Sequence, residues 1–403
     1  MTPGSLTLDP DCPAPADSDQ RAEPRERRST ALMAMPRSID AIDRATWDGL
    51  AARSAWATPF SSWAYHRAWW DAYGGSAHDE TIVVVDPVRP GAPVAIVPLM
   101  HRHAIEPGDE ATRSTIRHGH DLRLTPVAPR ARSVYFGASY HSDYATVLSA
   151  PEDLPDVAGC VVDLLSTPAS DARQGPQWDV VDLRRLRCGD PAVDALEAAF
   201  TDRARVTGWS VDVEREDVCP VVTLPAGADF DSYLGTLHKK SRHEIRRKVR
   251  RAESAGEVRL QDSPDALADL DAFIDLHQKR WGELGLFPPT PGGDASRRFA
   301  RRLFELFGSD GPLRLAFLTV GGRRIAAGIH FETADGYLYY NAGIDPDARD
   351  LSPGVVMIER YVRRAMVAGK RRLDFLRGDE PYKYEWGAVD EPIQRILVRC
   401  PGQ

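Results

Sequence analysis

Residues 349–362 read RDLSPGVVMIERYV, and the way this stretch joins what precedes it decides the fold. The strand-like run GYLYYNAGI (336–344) predicts a strand ending near Ile344. A loop carrying Arg349 follows, and Pro353 with Gly354 opens a helix over 354–369. Proline suits a first helical turn because its missing N–H would have no partner there. Such a strand, loop and helix start gathers exposed amides and a partial positive charge of roughly half an electron at one point. Ser352 adds a hydroxyl donor, Arg349 a full charge, and Gly354 lets an anion approach the backbone; a diphosphate suits that set.

Working outward, LRLAFLTV (313–320), RIAAGIHFET (324–333) and 336–344 are joined by the links GGR and AD, short enough for antiparallel hairpins. RRLDFLRG (371–378) and IQRILVR (393–399) read as further strands, and 265–284 and 294–307 as helices. DFDSYLGTLHKKSRHEIRRKVRRAESAG (229–256) reads as one long helix with an acidic start and Gly256 as its stop. CPVVTLPAG (219–227) is a short strand and a boundary, punctuated by Pro225 and Gly227. Before it lies a half of similar order: an aromatic-rich helix at 62–73, strands at 81–86, 94–100, 142–150, 178–186 and 209–216, and a helix at 191–207. Helices mixed with hairpin strands imply an α+β or mixed α/β fold in two halves.

The chain has 403 residues, 42% of them hydrophobic, enough for two or three domains. Its longest apolar runs, such as VAIVPLM (94–100), fall far short of the roughly 20 residues a membrane helix needs, so no transmembrane segment is expected. Residues 1–38 are rich in Pro and charge and lack a secretory h-region, which reads as a disordered tail on a cytoplasmic protein. Cys12, Cys160, Cys188, Cys219 and Cys400 are widely spaced and odd in number, so reduced structural thiols are expected. His101 with His103 and His118 with His120 form His-x-His pairs, read as solvated rather than metal-binding because no Cys or carboxylate accompanies them. No metal is expected. Gly-x-Ser-x-Gly elbows, Walker loops and dinucleotide fingerprints are absent from the sequence.

Against a net charge of -8, KKSRHEIRRKVRR (239–251) holds eight Lys or Arg and one Glu. Leu234, Leu237, Ile245, Val249 and Ala252 form the apolar stripe of that helix, leaving the cations, Arg242 and Arg246 among them, on the rest. They are either a solvated face or a guide for a phosphorylated donor or anionic acceptor. No zinc-finger pattern, stacking-aromatic motif or second basic cluster accompanies them, which argues against DNA. In SSWAYHRAWWDAYGG (61–75), aromatics at 63, 69, 70 and 73 share a helix face. They read as core, or as a platform for a sugar or lipid-linked acceptor together with Tyr140, Asp143 and Tyr144.

The loop of form Arg-x-x-Ser-x-Gly resembles the Gln/Arg-x-x-Gly-x-Gly/Ala pyrophosphate loop of GNAT acyltransferases, with Ser352 in place of the first Gly. LHKKSRHEIRRKVRRAESAG, LHQKRWGELG, RIAAGIHF, YYNAGIDPDARDLSPG and LDFLRGDEPYKYEWG together resemble the acetyltransferase domain named for CelD, a protein of bacterial cellulose biosynthesis, in the Fem-like branch of GNAT. The first half resembles its companion through ATPFSSWAYHRAWWDAYGG, VAIVPL and SDYATVL. The resemblance implies two tandem GNAT-like lobes, each a mostly antiparallel sheet flanked by helices: 39–228 on the acceptor side, 229–403 on the donor side.

It further implies acyl transfer from a thioester such as acetyl-CoA, or from aminoacyl-tRNA in the Fem branch, to an amine or hydroxyl on a small-molecule, sugar or lipid-linked acceptor. Exopolysaccharide or cell-envelope metabolism goes with the CelD likeness. A catalytically idle GNAT-like binding module is the alternative of a different class. Only about one lysine-type amine in a thousand is neutral at pH 7, so a base or a desolvating pocket must help, and Asp379, Glu380 and Glu332 are the candidate carboxylates. Backbone amides at 340–342 suit the oxyanion, Asn341 falls with Arg349, Ser352, Pro353 and Gly354 at the donor, and Tyr382 suits protonation of a leaving thiolate. Lys383 lies in YKYEWG, which resembles the Phe-Lys-x-x-Phe-Gly signature of Fem proteins and would offset negative charge there. Arg242, Arg246, Arg377, Trp386, Tyr140 and Asp143 are the candidate acceptor residues; for Trp386 a place in the core, and for Arg377 a structural pair with Asp374, are the alternatives.

Overall fold

The computed structural model describes residues 32–88, 91–102, 124–167 and 178–402. Leu313–Val320, Arg323–Glu332 and Gly336–Ile344 form the antiparallel meander that their short links require. They belong to a sheet of eleven strands, ordered Val258–Asp262, Leu313–Val320, Arg323–Glu332, Gly336–Ile344, Arg372–Asp374, Ser210–Thr223, Val389–Arg399, Val180–Arg187, Ser133–Phe136, Leu99–Arg102 and Ala77–Asp79. All neighbours are antiparallel except 336–338 beside 372–374 and 133–135 beside 180–182. Each parallel pair stands one strand out from the central pair Ser210–Thr223 and Val389–Arg399, so the sheet has the same construction read from its middle in either direction. The mixed α/β architecture therefore contains two like lobes.

The lobes exchange strands. Ser210–Thr223, from the first half, borders Arg372–Asp374 of the second, and the C-terminal strand Val389–Arg399 borders Val180–Arg187 of the first. A second, four-stranded antiparallel sheet is made by Met33–Pro36, Ile82–Val85, Ala95–Val97 and Leu148–Ser149.

Several expected elements differ. Met33–Pro36 is a strand although it falls in the stretch read as a tail, because a partner some fifty residues later in sequence, Ile82–Val85, completes its ladder. VAIVPLM is two strands in two sheets, parted at Pro98, which has no N–H to continue a ladder. The stretches 209–216 and 219–227 are joined in one strand, Ser210–Thr223. The long helix is two, Phe230–Thr236 and Lys239–Ala255: the Thr236 hydroxyl bonds back to the Tyr233 carbonyl (2.8 Å), and Leu237 and His238 are extended. RRLDFLRG is a strand only over Arg372–Asp374, because Leu376 and Gly378 take positive φ and turn the chain.

One face of the second lobe's sheet packs Leu315, Phe317, Ile329 and Phe331 against Ala266–Trp281, Pro291–Phe307 and the first half's aromatic helix Trp63–Tyr73. Trp69 is fully buried there, and rings cross between the halves, Tyr65 meeting Phe299 (5.5 Å) and Phe60 meeting Phe331 (5.3 Å). The other face is covered by the basic helix Lys239–Ala255 and by Pro353–Val367. Leu154–Leu165 and Pro191–Thr207 cover the first lobe.

Cys160, Cys219 and Cys400 are free thiols, and Cys12 lies outside the described residues. His101 stacks on His78 (6.1 Å) and bonds the Ser133 carbonyl; His103, His118 and His120 lie outside the described residues. Among the described residues, no group of three or more His, Cys, Asp or Glu is placed to hold a metal, and no helix is long and apolar enough to cross a membrane.

Burial holds His66 and His330 down to about 3 and His277 to about 4. Unfolding exposes them as ordinary imidazoles with pKa near 6.5, so the chain takes up protons as it unfolds in mild acid. Their contribution to stability is complete above pH about 6.5 and is lost as the pH falls toward 4, by roughly 1.4 kcal/mol per pH unit for each. Urea unfolding at pH 7 and pH 5 should show that loss, and His330→Gln should make the pH dependence shallower; an unchanged slope in the variant would contradict it.

Candidate active site

Beyond Leu338 and Asp374 the two parallel strands part. Residues 339–344 continue with no ladder partner on that side among the described residues, so backbone donors and acceptors face an open gap. In the first lobe the matching gap is closed, because Ala145 bridges Leu186 and donates its N–H to the Arg185 carbonyl (2.9 Å). At the open gap the register shifts: Ile329 faces Asn341 and His330 faces Tyr339, leaving Tyr340 as the extra residue of a β-bulge. A bulge bends the strand and re-aims its groups, here beside the gap.

The strand runs out through Asp345, whose carboxylate accepts from Asp347 N–H (3.1 Å) and pairs with Arg323. A 3-10 turn, Pro346–Leu351, leads to Ser352 in the left-handed region (φ 53°, ψ 53°), and the helix Pro353–Val367 begins. A Cβ added at Gly354 would meet the Ile344 Cδ1 atom at 3.2 Å, so the glycine lies against the end of the strand. Arg349 is exposed on the turn, and Arg251 at the end of the basic helix donates to the Asp350 carbonyl (3.1 Å). Arg349, Ser352, Pro353 and Gly354 thus stand together where the strand Gly336–Ile344, which carries Asn341, runs out.

Across the gap lies the lobe junction. Arg377 pairs with Asp143 (3.4 Å), both nearly buried, rather than with Asp374. Burial pushes the Asp143 carboxyl up, against the opposing charges of Arg377, Arg185 and Lys383. Asp374 accepts from the Tyr144 hydroxyl (2.8 Å) and the Leu376 N–H (2.7 Å), and burial raises its carboxyl to about 6. The buried Lys383 ammonium donates to the carbonyls of Leu376 (3.1 Å), Arg377 (3.0 Å) and Gly378 (2.8 Å) and pairs with Glu380 (2.9 Å). Its three protons are spoken for, and it acts as a staple for the turn after Asp374. Asp379 is fully buried beside it. Of the non-glycine residues at positive φ, Ala138, His141, Arg185 and Leu376 belong to segments meeting at this junction, and such strain concentrates at functional sites.

Tyr382 is 36% exposed, with its ring against Phe375 (5.9 Å), which also meets Tyr339 (6.3 Å). Burial of the hydroxyl, then the charge of Glu380, pushes its pKa up, so it stays protonated at neutral pH. Other candidates stand elsewhere. Glu332 pairs with Lys370 (3.3 Å) at the opposite end of its strand, six positions from Ala326, which faces Ile344; that is roughly 20 Å from the 349–354 turn at 3.3 Å per residue. Trp386 is core, its carbonyl accepting from Tyr233 (2.7 Å), and Tyr140 packs on Tyr73 (5.3 Å). Arg242 donates to the Gly235 carbonyl (3.1 Å) and Arg246 pairs with Asp231 (2.9 Å). Both line a groove of about 1010 Å³ along the basic helix, where Lys239, Lys240, Arg250 and Arg363 stand among Asp231, Glu244, Glu253 and Glu359.

Sequence reasoning did not single out Asp374 as a titrating group, nor His141 and Tyr340, whose hydroxyl donates to the His141 carbonyl (2.9 Å). Nothing in LDFLRG tells which of its residues will be buried. Arg280, within LHQKRWGELG, is a further such residue, its charge acting on both Tyr339 and Tyr382.

Residues 239–384 match the family model described as acetyltransferase (GNAT) domain. Among solved structures the chain is similar to FemX, at 12% identity and a TM-score of 0.52, over 88% of this chain and 96% of that one. It is more loosely similar to a tandem GNAT protein from the clavulanic acid biosynthesis pathway, at 10% identity and a TM-score of 0.45, over 92% of this chain and 99% of that one. No curated protein matches the sequence. The stretch 239–384 is thus similar to a GNAT acetyltransferase domain, within a chain whose overall fold is like that of FemX.

Proposed function

We propose that the protein transfers an acyl group from an acyl-CoA thioester, acetyl-CoA in the simplest case, to the amine or hydroxyl of a small-molecule, sugar or lipid-linked acceptor. One observation carries this reading: an open strand edge at 339–344 runs into a left-handed Ser352 and a glycine-bearing helix start. That geometry offers amides for an extended pantetheine arm and, at its end, an anion site for a diphosphate. Arg349 supplies charge to that end, and Gly354 keeps the approach clear.

On this reading the amides of 340–342 stabilise the oxyanion and Tyr382 gives a proton to the departing thiolate. Proton acceptance falls to the junction carboxylates Asp143 and Asp374. The first lobe, 39–228, presents the acceptor and the second, 229–403, holds the donor. A cytoplasmic location goes with that donor, and exopolysaccharide or cell-envelope metabolism is the setting that the CelD-like motifs favour.

Calorimetry with acetyl-CoA, free CoA and a charged tRNA tests the reading. Acetyl-CoA should bind in the micromolar range, about -8 kcal/mol, and charged tRNA should not displace it. Binding of tRNA alone would make the basic groove the donor site and the reaction aminoacyl transfer. Binding of neither would leave a GNAT-like binding module.

A further inference from the structure

The helix Lys239–Ala255 turns Ile245, Val249 and Ala252 into the core, so Lys239, His243, Arg246 and Arg250 form an exposed row along its outer side. The carboxylates bordering that row are already paired: Asp231 with Arg246 (2.9 Å), Glu244 with Arg247 (2.7 Å), Glu253 with Arg360 (2.8 Å), and the buried Glu359 with Arg360 and Arg363. Lys239, Lys240, Arg242, Lys248, Arg250 and Arg251 are left with no carboxylate within ion-pair distance among the described residues. Arg242, Arg250 and Arg251 donate only to the carbonyls of Gly235, Arg246 and Asp350. Other outer helices balance such cations locally, as Arg44 does with Asp48 (3.2 Å) and Arg302 with Glu305 (2.7 Å). Unbalanced cations gathered on one helix, in a chain of net charge -8, suit an anion outside the protein.

Two features favour a bilayer over a nucleic acid. Phe230, the aromatic ring lining the groove beside the row, is buried and covered by the Arg363 guanidinium (4.0 Å), so it offers no face to a base. One helical turn beyond Arg363, on the same helix face, Val367 is 91% exposed and adds an apolar contact of the kind an interfacial surface uses. We propose that the outer face of Lys239–Ala255, flanked by Val367, docks the protein on an anionic phospholipid bilayer. Each cation near such a surface strengthens binding by roughly fivefold, and the attraction fades beyond a Debye length of about 8 Å at physiological salt. The inference goes beyond the acyl-CoA reading and does not depend on it.

Flotation of the full chain tests it, with vesicles of phosphatidylcholine alone and of phosphatidylcholine with an equal part of phosphatidylglycerol. The wild type should bind the anionic vesicles at least about tenfold more tightly than the neutral ones, and high salt should release it. Lys239→Glu with Arg250→Glu should weaken that binding by about a hundredfold or more. Arg53→Glu with Arg205→Glu makes the same change of net charge on exposed positions of two first-lobe helices, and should leave binding within about threefold of wild type. Thermal midpoints of both variants report their folding. Equal binding to the two kinds of vesicle, or equal losses in the two variants, would overturn the docking face and leave the donor reading standing. Binding of a mixed-sequence RNA without binding of anionic vesicles would overturn it in favour of a nucleic-acid surface.

Discussion

Gly354→Glu is expected to weaken CoA binding by about a hundredfold or more without lowering the thermal midpoint. Two effects of opposite sign meet at this residue. A carboxylate in the first turn of Pro353–Val367 complements the helix dipole and favours folding by about 0.3–1 kcal/mol. The new Cβ meets only the Ile344 Cδ1 atom, the far end of a flexible side chain, at 3.2 Å, so the backbone need not move. Toward a diphosphate at the same helix start, however, the added charge is repulsive. Two unit charges about 5 Å apart interact by roughly 3 kcal/mol at an effective dielectric constant near 20, which is more than a hundredfold in binding. Gly354→Ala, which adds the same Cβ without the carboxylate, should cost only a few-fold. Arg349→Ala should cost about tenfold, and more at low salt than at high, because its guanidinium is exposed. Calorimetry and thermal unfolding on the same preparations separate the two effects. Wild-type affinity in Gly354→Glu would remove the 349–354 turn as the donor site.

Lys383→Met should destabilise the protein by roughly 3–5 kcal/mol, because it leaves Glu380 without its cation, and two buried carbonyls and a part-buried one without their donor. For a chain of this length that corresponds to a fall in midpoint of roughly 5 °C. Adding Glu380→Gln should restore part of the loss, since the uncompensated charge is then gone, and that coupling is what a staple predicts. The turn it holds carries Leu376 at positive φ and places Arg377 against Asp143, so loss of the staple should also loosen the lobe junction. A charge-offsetting role near the acyl group, as the Fem-like signature implies, predicts otherwise: acyl transfer would be lost at unchanged stability, and Glu380→Gln would restore nothing. Midpoints of the single and double variants decide between them.

The local reading of the sequence carried far. The hairpins over 313–344, the helix start at Pro353 and the stop at Gly256 follow from spacing and from proline and glycine chemistry within a few residues, and the structure has them. The one long helix predicted over 229–256 failed where a tertiary contact intervened, with Leu237 leaving helical geometry to enter the core. The turn at 349–354 was legible as a turn because its residues are neighbours in the chain. The junction was not: Tyr144 and Asp374 are 230 positions apart, and no periodicity announces their bond.

By itself, the sequence determined most of the elements, the order of the two halves and the turn that precedes Pro353–Val367, because backbone propensity, turn chemistry and hairpin length act over short separations. Only the tertiary structure decided which strands the lobes exchange, which lobe keeps its gap open and which carboxylates are buried, because pairing and desolvation depend on what distant parts of the chain bring to the same place.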